Sequence, residues 1–216
     1  MLMRPTMALA NPAWAAKCSW AMLTAMVQAV PPFPIARFSV DQYHRMIASG
    51  AIDEHDQVEL IEGWVVQKMA KGPGHEYTTG ELEELLRALL PPGWHIRNQG
   101  PITLRRSEPE PDMAIVRGAR SSYRAAHPRA SDVAVVVEVS DTILATDRHK
   151  ARTYAAEGVP ECWIVNLAER SVEVHRDPGP GDAGYRDQAN VAASGELSVV
   201  VDGQLCGRLA VARFLP

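Results

Sequence analysis

Two carboxylates and a lysine carry the strongest chemical signal in this sequence. Glu138 stands in the run VVVEVS, whose valines are typical of a strand buried on both faces. Burying a carboxylate in such a strand is unfavourable unless a positive charge pairs with it. Glu138 therefore predicts a cationic partner, which is either a side chain or a metal ion.

Asp112 is the second carboxylate, and it lies at the start of another apolar stretch. It follows Pro111, and proline is typical of the beginning or the edge of a strand because it cannot donate a hydrogen bond to the ladder. Asp112 and Glu138 are 26 positions apart, which allows one loop and a return on a neighbouring strand. If the two strands are adjacent, the carboxylates converge and need a shared proton or a bound cation.

The lysine belongs to the segment after Glu138, which is predicted to be helical. Four of its residues recur at steps of three and four and share one helical face: Ile143, Asp147, Lys150 and Tyr154. The apolar and aromatic members predict that this face packs inward, toward the carboxylates. Two carboxylates suit Mg²⁺, which prefers oxygen ligands, and a neighbouring lysine can position or help deprotonate a water for attack on phosphorus.

The elements that position these residues form an α/β arrangement with a mixed sheet. Helices are predicted at FSVDQYHRMIASG, at HEYTTGELEELLRALL and over about residues 142–157. Strands are predicted at VELI and WVVQKM around a turn at Glu62-Gly63, and at WHIRNQG, ITLRR, DMAIV and DVAVVVEV. ECWIV and SVEVHR form a predicted hairpin, and short strands alternate with turns up to the C-terminus.

Composition and charge indicate an ordinary globular protein. Hydrophobic residues make up 46% and charged residues 22% of the 216 residues. The net charge of −4 argues mildly against a large nucleic-acid footprint, although bound cations would cancel the charge of a metal site. Cys18, Cys162 and Cys206 show neither zinc spacing nor a disulfide framework, which predicts a reducing, cytoplasmic setting.

The first 31 residues are predicted to be a poorly ordered extension or the product of a mis-assigned start, with Met26 as the alternative start. Asn11-Pro12 and Lys17 interrupt the apolar part, which is unlike a signal peptide or a membrane span. The main domain is expected to cover residues 32–216.

The ordered motifs resemble the Uma-type restriction endonuclease family of the PD-(D/E)XK nuclease superfamily. The matching pieces are PD at 111–112, VEVS at 137–140, DRHK at 147–150 and YAAEGVPECWIV at 154–165. ELIEG at 59–63 and His75 also look like elements of that family. The resemblance covers roughly residues 36–177, and several motifs in one order make it specific.

This resemblance implies a restriction-endonuclease-like mixed β-sheet core flanked by helices, with extra β-hairpins. It also implies a divalent metal, Mg²⁺ or Mn²⁺, held by Asp112 and Glu138. The superfamily usually places its lysine two residues after the glutamate, where this sequence has Ser140, so the role passes to Lys150. The implied activity is endonucleolytic hydrolysis of phosphodiester bonds, with DNA as the expected partner. A homodimer would suit cleavage of both strands of a duplex.

Three further residues are candidates in the same site. The resemblance carries the upstream acid onto Glu59, with Glu62 as its rival. His75 either touches the site or caps the following helix. Asp147 either orients Lys150 or forms a surface pair with it.

Two interpretations compete for the segment between the carboxylate strands. It is basic and lacks acids, and as a loop beside the metal site it would grip a phosphate backbone through Arg117, Arg120, Arg124 and Arg129. Otherwise it is a solvated, mobile loop.

Two functions also compete for the whole chain. It is either a nuclease or a catalytically inactive nuclease-fold module that binds nucleic acid or a protein partner. A purely structural protein would leave Glu138 unpaired, which disfavours that third reading.

Overall fold

A six-stranded mixed sheet forms the centre of the structure. The computed structural model describes residues 33–216, so the extension predicted over residues 1–31 lies outside the described residues. Arg37–Pro216 form one compact unit. Residues 33–36, the described part of the other unit, contain neither helix nor strand.

The described residues contain three α-helices and ten strands, close to the predicted order. The helices are α1 (Val40–Ala48), α2 (Pro73–Leu89) and α3 (Leu144–Ala156). The strands are β1 (Val58–Ile61), β2 (Trp64–Gln67), β3 (Trp94–Asn98), β4 (Met113–Arg117), β5 (Val133–Ser140), β6 (Glu161–Asn166), β7 (Ser171–Pro178), β8 (Tyr185–Ala192), β9 (Glu196–Val201) and β10 (Gln204–Ala210). Across residues 33–216, the helices all fall short of the length and apolarity that a membrane span requires.

The central sheet has the strand order β3-β4-β5-β6-β7-β8. Its neighbours are antiparallel except β5 and β6, which are parallel and joined by the crossover helix α3. The hairpins β1-β2 and β9-β10 lie outside this sheet. The predicted α/β fold with a mixed sheet and extra hairpins is confirmed.

Strand β5 separates two apolar cores because successive side chains point to opposite faces. One face, which carries Val135, Val137 and Val139, packs against α2 and the β9-β10 hairpin. The other face carries Val136 and packs against α3. All eight residues of β5 are buried, so Glu138, next after Val136 on its face, is directed toward the α3 side.

The β1-β2 hairpin turns at Glu62 and Gly63, which both have positive φ angles, 49° and 83°. A side chain at Gly63 would clash with the chain before α1, because its Cβ would lie 2.7 Å from Cβ of Arg37 and 2.9 Å from the carbonyl oxygen of Phe38. This glycine fixes the turn that holds Glu59 and Trp64 in place.

The structure corrects two of the predicted elements. ITLRR is not a strand: Thr103 makes an isolated bridge, and the N–H groups of Ile102 and Leu104 donate to the nearby carbonyls of Pro109 and Ser107. These local turns replace a ladder while the apolar side chains still enter the core. Helix α3 begins at Leu144, so Ile143 precedes it and is 43% exposed instead of packing inward.

Candidate active site

A cleft of about 880 Å³ lies between the β1-β2 hairpin, the start of α2 and the start of α3. Both predicted metal ligands line it. The antiparallel register of β4 and β5 pairs Met113 with Val137, which brings the preceding Asp112 next to Glu138. The predicted convergence of the two carboxylates follows from this register.

Glu138 is buried, with 3% of its surface exposed, and its partners are side chains of α3. The Tyr154 hydroxyl donates to Oε1 of Glu138 at 2.6 Å, and Nζ of Lys150 lies 3.0 Å from the same oxygen. Burial raises the pKa of Glu138 to about 8, although the charge of Lys150 acts to lower it. The cationic partner that the valine-rich strand predicts is therefore supplied in part by Lys150.

Lys150 is shared between two carboxylates. Its Nζ lies 3.0 Å from Glu138 and 3.3 Å from Oε1 of Glu59, and only 7% of the residue is exposed. Burial alone lowers the pKa of Lys150, but the carboxylates of Glu138 and Glu59 outweigh it and raise that pKa above its ordinary value. The lysine is therefore held as a buried ammonium ion.

Of the two upstream acids, the structure brings Glu59 to Lys150. Glu59 is buried on β1, and its Oε2 accepts a hydrogen bond from the backbone N–H of Glu110 at 2.9 Å. Glu62 sits in the hairpin turn at the margin of the cleft, where it contacts His149 at 3.5 Å and accepts from the Thr153 hydroxyl at 3.3 Å. Glu59 lies within β1, whereas Glu62 lies in the turn three residues later, and this difference decides which of them reaches Lys150.

Asp112 is surrounded by three donors. Nζ of Lys71 lies 2.9 Å from its Oδ1, while Nε2 of His75 and the backbone N–H of Val139 contact its Oδ2 at 3.0 and 2.8 Å. Burial raises the pKa of Asp112, but His75, Lys71 and the Val139 N–H outweigh it and lower that pKa below its usual value. Asp112 is therefore held in its ionised form.

The capping interpretation of His75 is wrong, because Gly72 is the N-cap of α2 and His75 lies within the helix, directed at Asp112. Lys71 and Tyr154 were not predicted as site residues. No local sequence pattern points to Lys71, which directly precedes the Gly-Pro-Gly turn at the start of α2. Tyr154 shares the helical face of Lys150, four residues further on.

Asp147 lines the same cleft. Burial raises the pKa of Asp147, and the contacts from Ser140 and the charge of Lys150 oppose this rise. The ion pairs of Lys150 among the described residues are with Glu59 and Glu138 and not with Asp147. The alternative in which Asp147 forms a surface pair with Lys150 is therefore not seen in residues 33–216.

The four arginines expected beside the metal site lie elsewhere. Strand β4 runs away from Asp112 and β5 returns toward Glu138, so the connecting loop sits at the opposite end of the sheet. Arg117 pairs with Asp202 at 2.5 Å, and Arg120 donates to the Ile96 carbonyl. The cleft lining includes neither of these, nor Arg124 or Arg129, and the expected placement is wrong.

The chemistry of the cleft fits a hard divalent cation. Of residues 33–216, eight Asp or Glu residues line it, against four Lys or Arg residues, which leaves an excess of negative charge. Among the described residues, no group of three or more His, Cys, Asp or Glu side chains is arranged to hold a metal ion. Asp112 and Glu138 are the pair of oxygen donors in the cleft that could hold such an ion, with water filling the remaining positions as Mg²⁺ prefers.

The sheet, its crossover helix and the flanking helices define a restriction-endonuclease-like α/β protein. The family model of Uma2, described as "Putative restriction endonuclease", matches residues 40–206, and the chain belongs to this family. The resemblance found in the sequence is thereby confirmed.

A solved structure supports the fold independently. It is that of a putative nuclease belonging to DUF820 from Anabaena variabilis ATCC 29413, with a TM-score of 0.62 and 14% sequence identity. The similarity covers 84% of this chain and 97% of that chain. At this identity it shows the fold alone. No curated protein matches the sequence at a significant level.

Proposed function

We propose that this chain is a divalent-metal-dependent endonuclease that hydrolyses phosphodiester bonds of DNA. The observation that carries the proposal is the buried Lys150 ammonium, shared by Glu138 and Glu59 on the cleft and adjacent to the strand start that carries Asp112. Membership of the restriction endonuclease family supports it. The proposed nuclease domain covers residues 32–216, and a cytoplasmic homodimer stays a prediction.

Asp112 and Glu138 are the residues that would hold Mg²⁺ or Mn²⁺. Such an ion, when bound, neutralises charge on the phosphate and lowers the pKa of a water. His75, Lys71 and the Val139 N–H keep Asp112 ionised before the ion arrives. Glu138 has the opposite bias, because burial favours its protonated form and a cation would reverse that preference.

Lys150 acts as a donor and a positive charge in this proposal. Its raised pKa disfavours a general base, which would have to release its proton near neutral pH. An ammonium group can orient a water through a hydrogen bond and stabilise the negative charge that develops on the phosphate. Glu59 fixes the lysine in this position from the hairpin side.

A second candidate, a non-cutting binding module, is favoured by one contact. Lys71 already pairs with Asp112 at 2.9 Å, and a lysine that stays there would take the place of a metal ion. The same cleft would then bind its partner without hydrolysing it.

Nicking of supercoiled plasmid, titrated with Mg²⁺ and with Mn²⁺, separates the two candidates. Wild type is compared with Glu138→Ala and Lys150→Ala, and with Asp202→Asn as a control at an exposed ion pair away from the cleft. We expect nicking that requires the metal, disappears in both cleft variants and persists in the control.

Other outcomes have distinct meanings. Equal nicking by all four proteins would reveal a contaminating nuclease and contradict the site. A wild type that binds DNA but never cuts, and whose melting temperature the metal leaves unchanged, would favour the binding module, because an ion bound by the folded state would raise the melting temperature.

A further inference from the structure

The cleft contains an apolar surface that the proposed hydrolysis does not use. It consists of four residues, here called the apolar lining: Trp64, Val66, Met69 and Ile143. Trp64 and Val66 alternate on β2 with Val65, which packs against the small core around α1, so their side chains face away from that core. Trp64 is 36% exposed and Met69 53% exposed. Exposed large apolar groups beside buried charges are typical of a binding surface.

Trp64 already has a cation over its ring. The guanidinium of Arg37 lies 5.2 Å from the centre of its ring, and Arg37 also donates to the carbonyl of Glu62 at 3.3 Å. Aromatic rings and arginine planes are the groups on which proteins stack unpaired bases. An aromatic ring and a guanidinium group therefore lie together at the cleft.

Neutral hydrogen-bonding groups accompany this surface. Gln57 and Gln99 line the same cleft. Each amide offers both donors and an acceptor, which match the edges of a nucleobase. A lining of apolar faces and amide edges suits a base better than it suits a phosphate.

The charge of the cleft excludes a grip that depends on phosphate contacts alone. Carboxylates outnumber lysines and arginines there by eight to four. Lys68 and Lys71 are engaged in ion pairs with Glu110 and Asp112, each at 2.9 Å. Affinity for a polyanion must therefore come largely from contacts to its bases, and the faces of bases are accessible only when they are unstacked.

We propose that the apolar lining stacks an unpaired nucleobase next to the scissile phosphate, so that single-stranded DNA is the preferred substrate. This proposal rests on the proposed nuclease function. The buried carboxylates agree with it, because a phosphate must enter the cleft to reach Glu138, and a flexible single strand can do so more readily than a duplex. A single-stranded substrate also does not require a dimer, because only one strand is cut.

The test measures the affinity for a dye-labelled single-stranded oligonucleotide and for its duplex. Binding is monitored by fluorescence anisotropy, with Ca²⁺ in place of Mg²⁺ so that the DNA is bound without being cut. The variants are Trp64→Leu, which removes the aromatic face, and Trp64→Phe, which keeps one. Trp94→Leu is the matched control, because Trp94 also has an arginine over its ring (Arg117, 4.4 Å) but lies at the opposite end of the sheet.

We expect wild type to bind the single strand at least about tenfold more tightly than the duplex. Trp64→Leu should lose about tenfold in affinity for the single strand, Trp64→Phe should keep most of it, and Trp94→Leu should match wild type. Since few phosphates are gripped, the salt dependence should be shallow, each phosphate contact adding about 0.7 to the log–log slope.

Equal affinity for both DNA forms, unchanged binding by Trp64→Leu, or no binding at all would overturn the stacking proposal. Plasmid nicking by the same preparations separates this failure from that of the nuclease proposal. Metal-dependent nicking without single-strand preference overturns the stacking surface alone. Stacking that depends on Trp64 without any cleavage overturns the nuclease function and leaves a single-strand binding protein.

Discussion

Neighbouring strands of the central sheet each bury a glutamate, and the two glutamates have the same kinds of partner. Glu138 on β5 contacts a lysine and accepts from a tyrosine hydroxyl. Glu161 on β6 contacts Arg176 at 2.8 Å and accepts from the indole N–H of Trp163 at 2.5 Å. A buried carboxylate with a cation and an aromatic donor is therefore not by itself the mark of an active site.

The difference lies in what surrounds each pair. The partner of Glu138, Lys150, is shared with Glu59 and lies in a cleft lined by further carboxylates. Glu161 lies on the other face of the sheet, opposite Val135, and the side chain of Arg176 is 34% exposed. Excess carboxylates around one shared cation, open to a cleft, distinguish a candidate reactive centre from a structural ion pair.

The largest expected contrast is in cleavage. Glu138→Gln removes a proposed metal ligand and should reduce metal-dependent nicking by about 100-fold or more, whereas Glu161→Gln should cut like wild type. Initial nicking rates at saturating Mg²⁺ measure both. Loss of activity in Glu161→Gln, with its fold intact by circular dichroism, would remove the distinction between the two glutamates.

The next contrast is in stability. Lys150→Met leaves Glu138 and Glu59 without their cation and should lower the free energy of unfolding by about 3 kcal/mol. Arg176→Met should cost about 1 kcal/mol, because its ion pair is partly solvated. Urea unfolding at neutral pH gives both values. Equal losses of unfolding free energy in the two variants would mean that sharing Lys150 between two carboxylates gives no stability beyond that of a single ion pair.

The pH dependence should also separate the two glutamates. The folded state binds the Glu138 proton more tightly than the unfolded state, since its pKa rises from 4.5 to about 8. This group therefore contributes stability below pH 4.5 that is lost as pH rises to 8. Without divalent cations, wild type should lose about 2 kcal/mol relative to Glu138→Gln between pH 6 and pH 8. Parallel unfolding curves for the two proteins would show that the carboxyl is ionised throughout.

The smallest expected effect concerns the tyrosine. Tyr154→Phe removes one hydrogen bond to Glu138 and should cost about 1 kcal/mol of unfolding free energy. The substitution should also raise the pKa of Glu138 in the folded state, because the ionised carboxylate loses a donor. The decline in stability with rising pH should therefore extend to a higher pH than in wild type. An unchanged pH profile would assign the hydroxyl no influence on Glu138.

Local patterns predicted most of the elements and the placement of three candidate site residues in one cleft. The valine run, the proline before Asp112 and the periodicity of α3 suffice to bring Asp112, Glu138 and Lys150 to one cleft. The turn at Glu62-Gly63 also favours Glu59, because it removes Glu62 from the strand.

The position of the basic loop and the contact of Lys71 depend on strand direction and tertiary packing. Asp112 directly precedes β4 and Glu138 lies near the end of β5, so the loop that connects the two strands lies at the far end of the sheet. Residue types alone do not specify this direction, and they place the basic loop beside the carboxylates. The contact of Lys71 with Asp112 is different: it joins residues from separate elements, and no local pattern specifies it.

The crossover from β5 through α3 to β6 supplies part of the cleft from one continuous stretch of chain, which bears on the order in which the contacts of the cleft form during folding. Glu138, Lys150 and Tyr154 belong to this one continuous unit, whereas Asp112 and Glu59 arrive from elements far upstream in the chain. Contacts between residues close in sequence form faster than those that close long loops. During refolding we therefore expect the lysine–glutamate pair to form first. The proposed metal ligands Asp112 and Glu138 should meet when β4 pairs with β5, and the contact of Glu59 with Lys150 should form last.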